Sequence, residues 1–113
     1  MDIGRSGEQL AVEYLQRIGF QLLHRNWRYR HWEIDIIATK NDTIHFIEVK
    51  TRTSAYFGTP EQNITPRKMQ NLMNAASAYL YQFPQWKRIQ FDALSIILKG
   101  RDADYFYIED IYL

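Results

Sequence analysis

An α/β domain, built as a mixed sheet flanked by helices, is the fold class this sequence predicts. Three observations carry that reading: two stretches with helical apolar spacing, several stretches of strand character between and after them, and their order α-β-β-β-α-β-β along 113 residues. A chain of this length suits one domain, expected over residues 1–113, with enough buried surface for one core.

Ser6, Gly7 and Glu8 open the first helix, in which Ala11, Tyr14, Leu15 and Ile18 recur at i, i+3, i+4 and i+7. Gly19 is its natural stop, because the residue after a helix commonly turns left-handed. Phe20 to Trp27 reads as a strand and Arg28 to His31 as a polar turn, with Asn26 a turn or strand-end residue. Glu33 to Thr39 is a second, β-branched strand. Lys40, Asn41 and Asp42 turn tightly into a third, Thr43 to Thr51. A loop from Arg52 to Ile64 follows, shaped by Gly58 and Pro60. Thr65 is placed to cap a second helix with Pro66 at its first position, and Met69, Leu72, Met73, Ala76, Leu80 and Phe83 form its apolar stripe before Pro84 ends it. Ile89 to Leu98 is apolar enough to be a buried central strand. After a turn at Gly100 to Asp104, Tyr105 to Tyr112 forms a fifth strand or a tail.

Composition narrows the classes of function. A content of 46% hydrophobic and 24% charged residues is that of a globular domain and excludes wholesale disorder. No apolar run approaches the roughly 20 residues that span a bilayer, and the first ten residues lack the apolar segment of a secretory signal. A cytoplasmic, non-membrane protein is therefore expected. The absence of cysteine removes disulfides and thiolate metal sites. His24, His31 and His45 show no helical ligand spacing, which argues against zinc, and no glycine-rich phosphate loop is present. Net charge is only +1. Acidic residues concentrate after Gly100, so the remainder carries a mild basic surplus in which Arg predominates, a side chain suited to phosphate oxygens.

The chemistry concentrates in the hairpin of the second and third strands. Residues alternate faces, so Glu48 and Lys50 share a side with Ile44 and Phe46. With the turn centred on Asn41 and Asp42, Asp35 falls opposite Glu48 on that side. Opposed carboxylates repel unless something compensates them. A divalent cation would do so, and Mg²⁺ is commonly held by one or two carboxylates together with waters and phosphate oxygens. Lys50 would face the same site, able to orient water or neutralise charge growing on a phosphate. Taken alone, a Glu–Lys pair two residues apart is also an ordinary surface ion pair. The conjunction with Asp35 among apolar neighbours favours the site, since buried charge is usually paired or metal-bound.

Asp35, twelve intervening residues and then Glu48-Val49-Lys50 resemble the PD-(D/E)xK nuclease signature. The wider chain is similar to the YraN-like family of small bacterial proteins in the restriction-endonuclease-like superfamily. The matching stretches are GRSGEQLAVEYLQRIGF, LLHRNWR, EIDIIA, FIEVKTR, FGTPEQNITPRK and QFDALSI, in order. The resemblance implies an α-β-β-β-α-β core and a Mg²⁺-dependent endonuclease (Mn²⁺ substituting), and it adds Glu8 of the first helix to Asp35 and Glu48 as a third metal ligand. Where members usually carry Gly before Glu-Ile-Asp, this chain has Trp32.

Arg25, Arg28, Arg52, Arg67 and Lys68 are the candidate nucleic-acid contacts. Arg30, Trp27 and Tyr29 interleave with the first two, and Arg67 and Lys68 lie in the first turn of the second helix, where cations oppose the dipole and favour an anionic partner. Asp92, in the fourth strand, is expected to support the site from behind or to cap the strand. The expected partner is nucleic acid, DNA rather than RNA, and a two-fold dimer would suit cleavage of both strands. Two other classes stay open: a binding module on the same scaffold without turnover, and a protein-interaction domain using the aromatic, acidic C-terminal stretch.

Overall fold

The structure is a computed structural model that describes residues 6–53 and 65–111. The chain runs α1 (Gly7–Arg17), β1 (Gln21–Tyr29), β2 (Trp32–Lys40), β3 (Thr43–Arg52), α2 (Pro66–Gln82), β4 (Arg88–Lys99) and β5 (Asp102–Ile108). The α/β class and element order agree with the sequence reading. The loop around Gly58 and Pro60 lies outside the described residues, as does Tyr112.

Both helices start where their capping residues dictate. Ser6 Oγ accepts from the Gln9 amide and Thr65 Oγ1 from the Lys68 amide, each at 3.1 Å, satisfying donors that the first turn leaves free. At the other end of α1, Gly19 adopts φ +103. The Gly19 amide donates to Gln16 O (3.2 Å) and the Phe20 amide to Leu15 O (2.9 Å), the paired closure of a Schellman motif. Lys40 Nζ adds a cation at this negative end, donating to Ile18 O at 2.6 Å.

The five strands lie in chain order, β1-β2-β3-β4-β5. Three neighbouring pairs are antiparallel, and β3 pairs with β4 in parallel, α2 making the crossover. Asn41 and Asp42, at φ +53 and +64, form the two-residue turn between Lys40 and Thr43, with a backbone twist that matches the strands it joins. One face of the sheet buries Ile36, Ala38, Ile47, Leu94 and Ile96 under α1. The other buries Ile34, Ile37, Ile44 and Phe46 under α2. Because β3 is covered on both faces, Ile44 to Ile47 is continuously buried rather than alternating.

Several boundaries move. β1 extends through Arg28 and Tyr29, leaving only Arg30 and His31 as the turn. Asn26 is not a strand end but sits within β1 at φ +50. β5 starts at Asp102, earlier than the aromatic run that announces it, because Lys99 pairs directly with Asp102 across a tight turn.

Candidate functional site

Asp35 sits where regular pairing fails on both sides. Residues two apart in a strand should share a face, yet Ile34 lies under α2 and Ile36 under α1. Across the ladder, Arg25 pairs with Ile36 and Trp27 with Ile34 in one unbroken register, with Asn26 and Asp35 unpaired between them; the register itself shifts earlier, between Leu22 and His24. Toward β3 the ladder ends at Ile36↔Ile47, one step before the position at which Asp35 was expected to oppose Glu48. The strands part there, and the Asp35 carboxylate takes over the bonding, Oδ2 accepting from the Val49 amide at 2.8 Å. The expected cross-strand pair is therefore replaced by a side-chain-to-backbone clasp, with both carboxylates still directed to one place.

That place is a cavity of about 200 Å³ on the α2 side of the sheet, lined by His31, Trp32, Glu33, Asp35, Glu48, Lys68, Asn71 and Leu72. Burial raises the Asp35 pKa to about 6. The Val49 hydrogen bond opposes the rise, and the charges of Glu48, Glu33 and Glu8 add to it. Burial also raises Glu48, with Lys68 and then Lys50 pulling it down and Glu33 pushing it up. Both carboxyls resist ionisation chiefly because the shared cavity strips water from them; carboxylate repulsion adds to this at Asp35, while lysines oppose it at Glu48.

The remaining candidates are distributed around this pair. Lys50 is exposed at the outer end of β3 on the Glu48 face, and Lys68 reaches the cavity from the first turn of α2, which holds no acidic residue. Glu8 acts on Asp35 through its charge, while its carboxylate is held by Arg25, whose Nε and Nη2 both lie 3.0 Å from Oε1. Arg25 Nη1 also donates to Gln9 at 3.0 Å. Among the described residues, no three His, Asp or Glu side chains converge as a ligand set. Asp35 and Glu48 are thus brought together, and Glu8 stands beside them in an ion pair. Arg28 lies 3.6 Å from Glu33 at the surface. Arg67 is exposed and Arg52 half-buried. Trp32, where the resemblance led to an expectation of Gly, keeps a negative φ, and β2 begins regularly there.

Compared with known proteins, residues 7–96 match the description "Uncharacterised protein family UPF0102". The chain belongs to the UPF0102 family. It is 44% identical over 99 residues to a UPF0102 protein of Syntrophomonas wolfei, covering 87% of this chain and 86% of that one. A UPF0102 protein of Mycolicibacterium vanbaalenii is 45% identical over 101 residues, covering 88% and 84%. One of Chlorobium phaeobacteroides is 40% identical over 110 residues, covering 96% and 87%. The YraN-like resemblance read from the sequence is this family.

Two features of the UPF0102 domain escape sequence reasoning. Gly7 permits a close approach: a Cβ there would lie 2.1 Å from Thr51 Oγ1, so only Gly lets the start of α1 reach the end of β3 and bring Glu8 near Asp35. Asp92 neither backs the cavity nor caps β4. It is fully buried on the α1 face, where it accepts from the Tyr107 hydroxyl, from Gln90 Nε2 and the Asp110 amide (2.9 Å each), and bonds His45 Nδ1. Burial pushes this carboxyl up, but the four hydrogen bonds together hold it below its ordinary value. The alternation that puts His45 on the α1 face is legible in the sequence. Its meeting with Asp92 depends on the parallel register of β3 and β4, which is not.

Proposed function

We propose that this UPF0102 domain is a metal-dependent endonuclease that hydrolyses phosphodiester bonds in DNA, with Asp35 and Glu48 holding Mg²⁺. One observation supports the reading above all: two strands part so that two carboxyls, both harder to ionise than usual, face one cavity flanked by lysines. Their hard oxygens suit Mg²⁺ or Mn²⁺, and a cation would offset the desolvation of both carboxyls and the carboxylate repulsion felt by Asp35. When bound, the ion supplies charge neutralisation at the scissile phosphate and makes water a better nucleophile.

The chain's own groups supply the rest. Asp35 is oriented by the Val49 amide, which fixes one oxygen and leaves the other for the cavity. Lys50 and Lys68 carry positive charge where a phosphate would gain negative charge in the transition state. Glu8 would complete the carboxylate set on release from Arg25, whose guanidinium would then be available to a phosphate. Arg28, Arg52, Arg67 and Lys68 extend the cationic surroundings for the strand's backbone.

Calorimetric titration with Mg²⁺ and Mn²⁺, comparing wild type with Glu48→Gln, tests the metal site, and cleavage of linear, flapped and branched DNA by wild type and Asp35→Asn tests turnover. Saturable heat lost in Glu48→Gln, with cleavage lost in Asp35→Asn, is the expected result. Equal heats in both proteins, or cleavage indifferent to Asp35, defeat the proposal.

A further inference from the structure

The β1–β2 hairpin that delivers Asp35 carries a row of rings on the same side of the sheet. Trp27 and Tyr29 are nearly parallel (8°), with centroids 6.4 Å apart, and Tyr29 and Trp32 lie at 19° and 6.2 Å. His31 continues the row 5.0 Å from Trp32. One end is rooted in the core, where Trp27 meets the Tyr79 ring of α2 edge-on at 5.3 Å. At the other end, His31 and Trp32 line the cavity that holds Asp35 and Glu48.

Core completion accounts for Trp27 but not for Tyr29. Tyr29 is 37% exposed, one of the few large apolar side chains at the surface among the described residues. Its ring neighbours are Trp27 and Trp32, with the Arg30 guanidinium 5.5 Å from its centroid. Arg28, 72% exposed, lies on the same strand. Flat rings held nearly parallel, with the Arg30 guanidinium over one of them and the carboxylate-lined cavity at the row's end, match the chemistry of an unpaired nucleotide: a π-face to stack and a phosphate to neutralise. A duplex keeps its base faces buried in its own stack and could use only the cations.

We propose that Tyr29 and Trp32 form a stacking platform for unpaired bases beside the cavity, so that the site selects single-stranded or flapped DNA over continuous duplex. The inference rests on the nuclease reading for the position of the scissile phosphate, while the stacking itself requires no turnover.

The test measures anisotropy of labelled oligothymidine and of a labelled hairpin duplex with the full chain, at one fixed salt concentration, in EDTA so that nothing is cut. Wild type should prefer oligothymidine. Tyr29→Ala should weaken that binding by about 5- to 150-fold, the range typical of losing one base–aromatic stack. It should leave duplex binding unchanged, and Tyr29→Phe should retain wild-type behaviour. Circular dichroism confirms that each variant is folded. Equal weakening on both ligands, no weakening, or a wild-type preference for duplex overturns the platform. Cleavage in Mg²⁺ separates the two proposals. Metal-dependent cutting with a Tyr29-independent preference removes the platform and leaves the nuclease. The expected binding pattern without cutting of any substrate removes the nuclease and leaves the platform.

Discussion

Replacing Asp35 by Asn should make the fold more stable at neutral pH. The Asp35 carboxyl titrates near 6 instead of 3.8, because folding strips water from it and sets it among the charges of Glu48, Glu33 and Glu8. Between those values the folded chain keeps a proton that the unfolded chain has lost. Stability therefore falls as pH rises through that window and levels off above the folded value. The shift corresponds to an upper bound of about 3 kcal/mol, at 1.36 kcal/mol per unit. Asp35 is half-buried, and solvent screening brings the expected gain to about 1–2 kcal/mol. Asn has the same shape, and its carbonyl can keep the 2.8 Å bond from the Val49 amide, so no new defect offsets the gain. In a domain of this size that is a rise in melting temperature of roughly 5–10 °C. Thermal unfolding followed by circular dichroism at neutral pH, and again near pH 4, measures it. The gap between the two proteins should close at the lower pH, where folded Asp35 is protonated. Mg²⁺ should raise the melting temperature of wild type and not that of the variant. A variant no more stable than wild type at neutral pH, or a gain unchanged by acid, would refute the claim that this carboxyl is held against its preference.

Three further outcomes follow from the geometry. Gly7→Ala places a methyl 2.1 Å from Thr51 Oγ1 and should destabilise the fold by about 1–3 kcal/mol; pairing it with Thr51→Ala should restore part of the loss in urea unfolding. Asp92→Asn breaks a buried network of four donors and should cost about 2–4 kcal/mol at neutral pH. Because folding lowers the Asp92 pKa, that contribution should fade as pH drops below the ordinary carboxylate range, visible as convergence of the two acid-unfolding curves. Lys68→Ala removes the foremost charge opposing the rise of the Glu48 pKa, so the pH midpoint of Mg²⁺ binding should move upward, with calorimetry across a pH series as the readout.

Much of the scaffold could be read from local chemistry. The Ser6 and Thr65 caps, the Gly19 stop and the Asn41–Asp42 turn act within a few residues of themselves, and the structure places each as expected. The apolar run Ile89 to Leu98 announced a buried strand, and Asp92 to Ile97 of β4 are continuously buried. The site was legible in identity and not in arrangement. Asp35, Glu48 and Lys50 stand out by type and spacing, but perfect alternation predicted a carboxylate pair across an intact ladder. The left-handed backbone at Asn26 and the unpaired Asp35 opposite it break that alternation; Asn is a residue type that tolerates such a conformation, but its presence alone does not say that the strand continues through it.

Local preference and periodicity belong to the chain itself, which is why the element order, the caps and the two apolar faces were already determined in the sequence. Which side chains meet across elements was decided only in three dimensions: Glu8 with Arg25, Asp92 with His45 and Tyr107, and Asp35 with the Val49 amide. Those meetings depend on strand register and on how closely a helix can approach a strand. Distances of a few ångströms set both, and a pattern of residue types along one chain does not encode them directly.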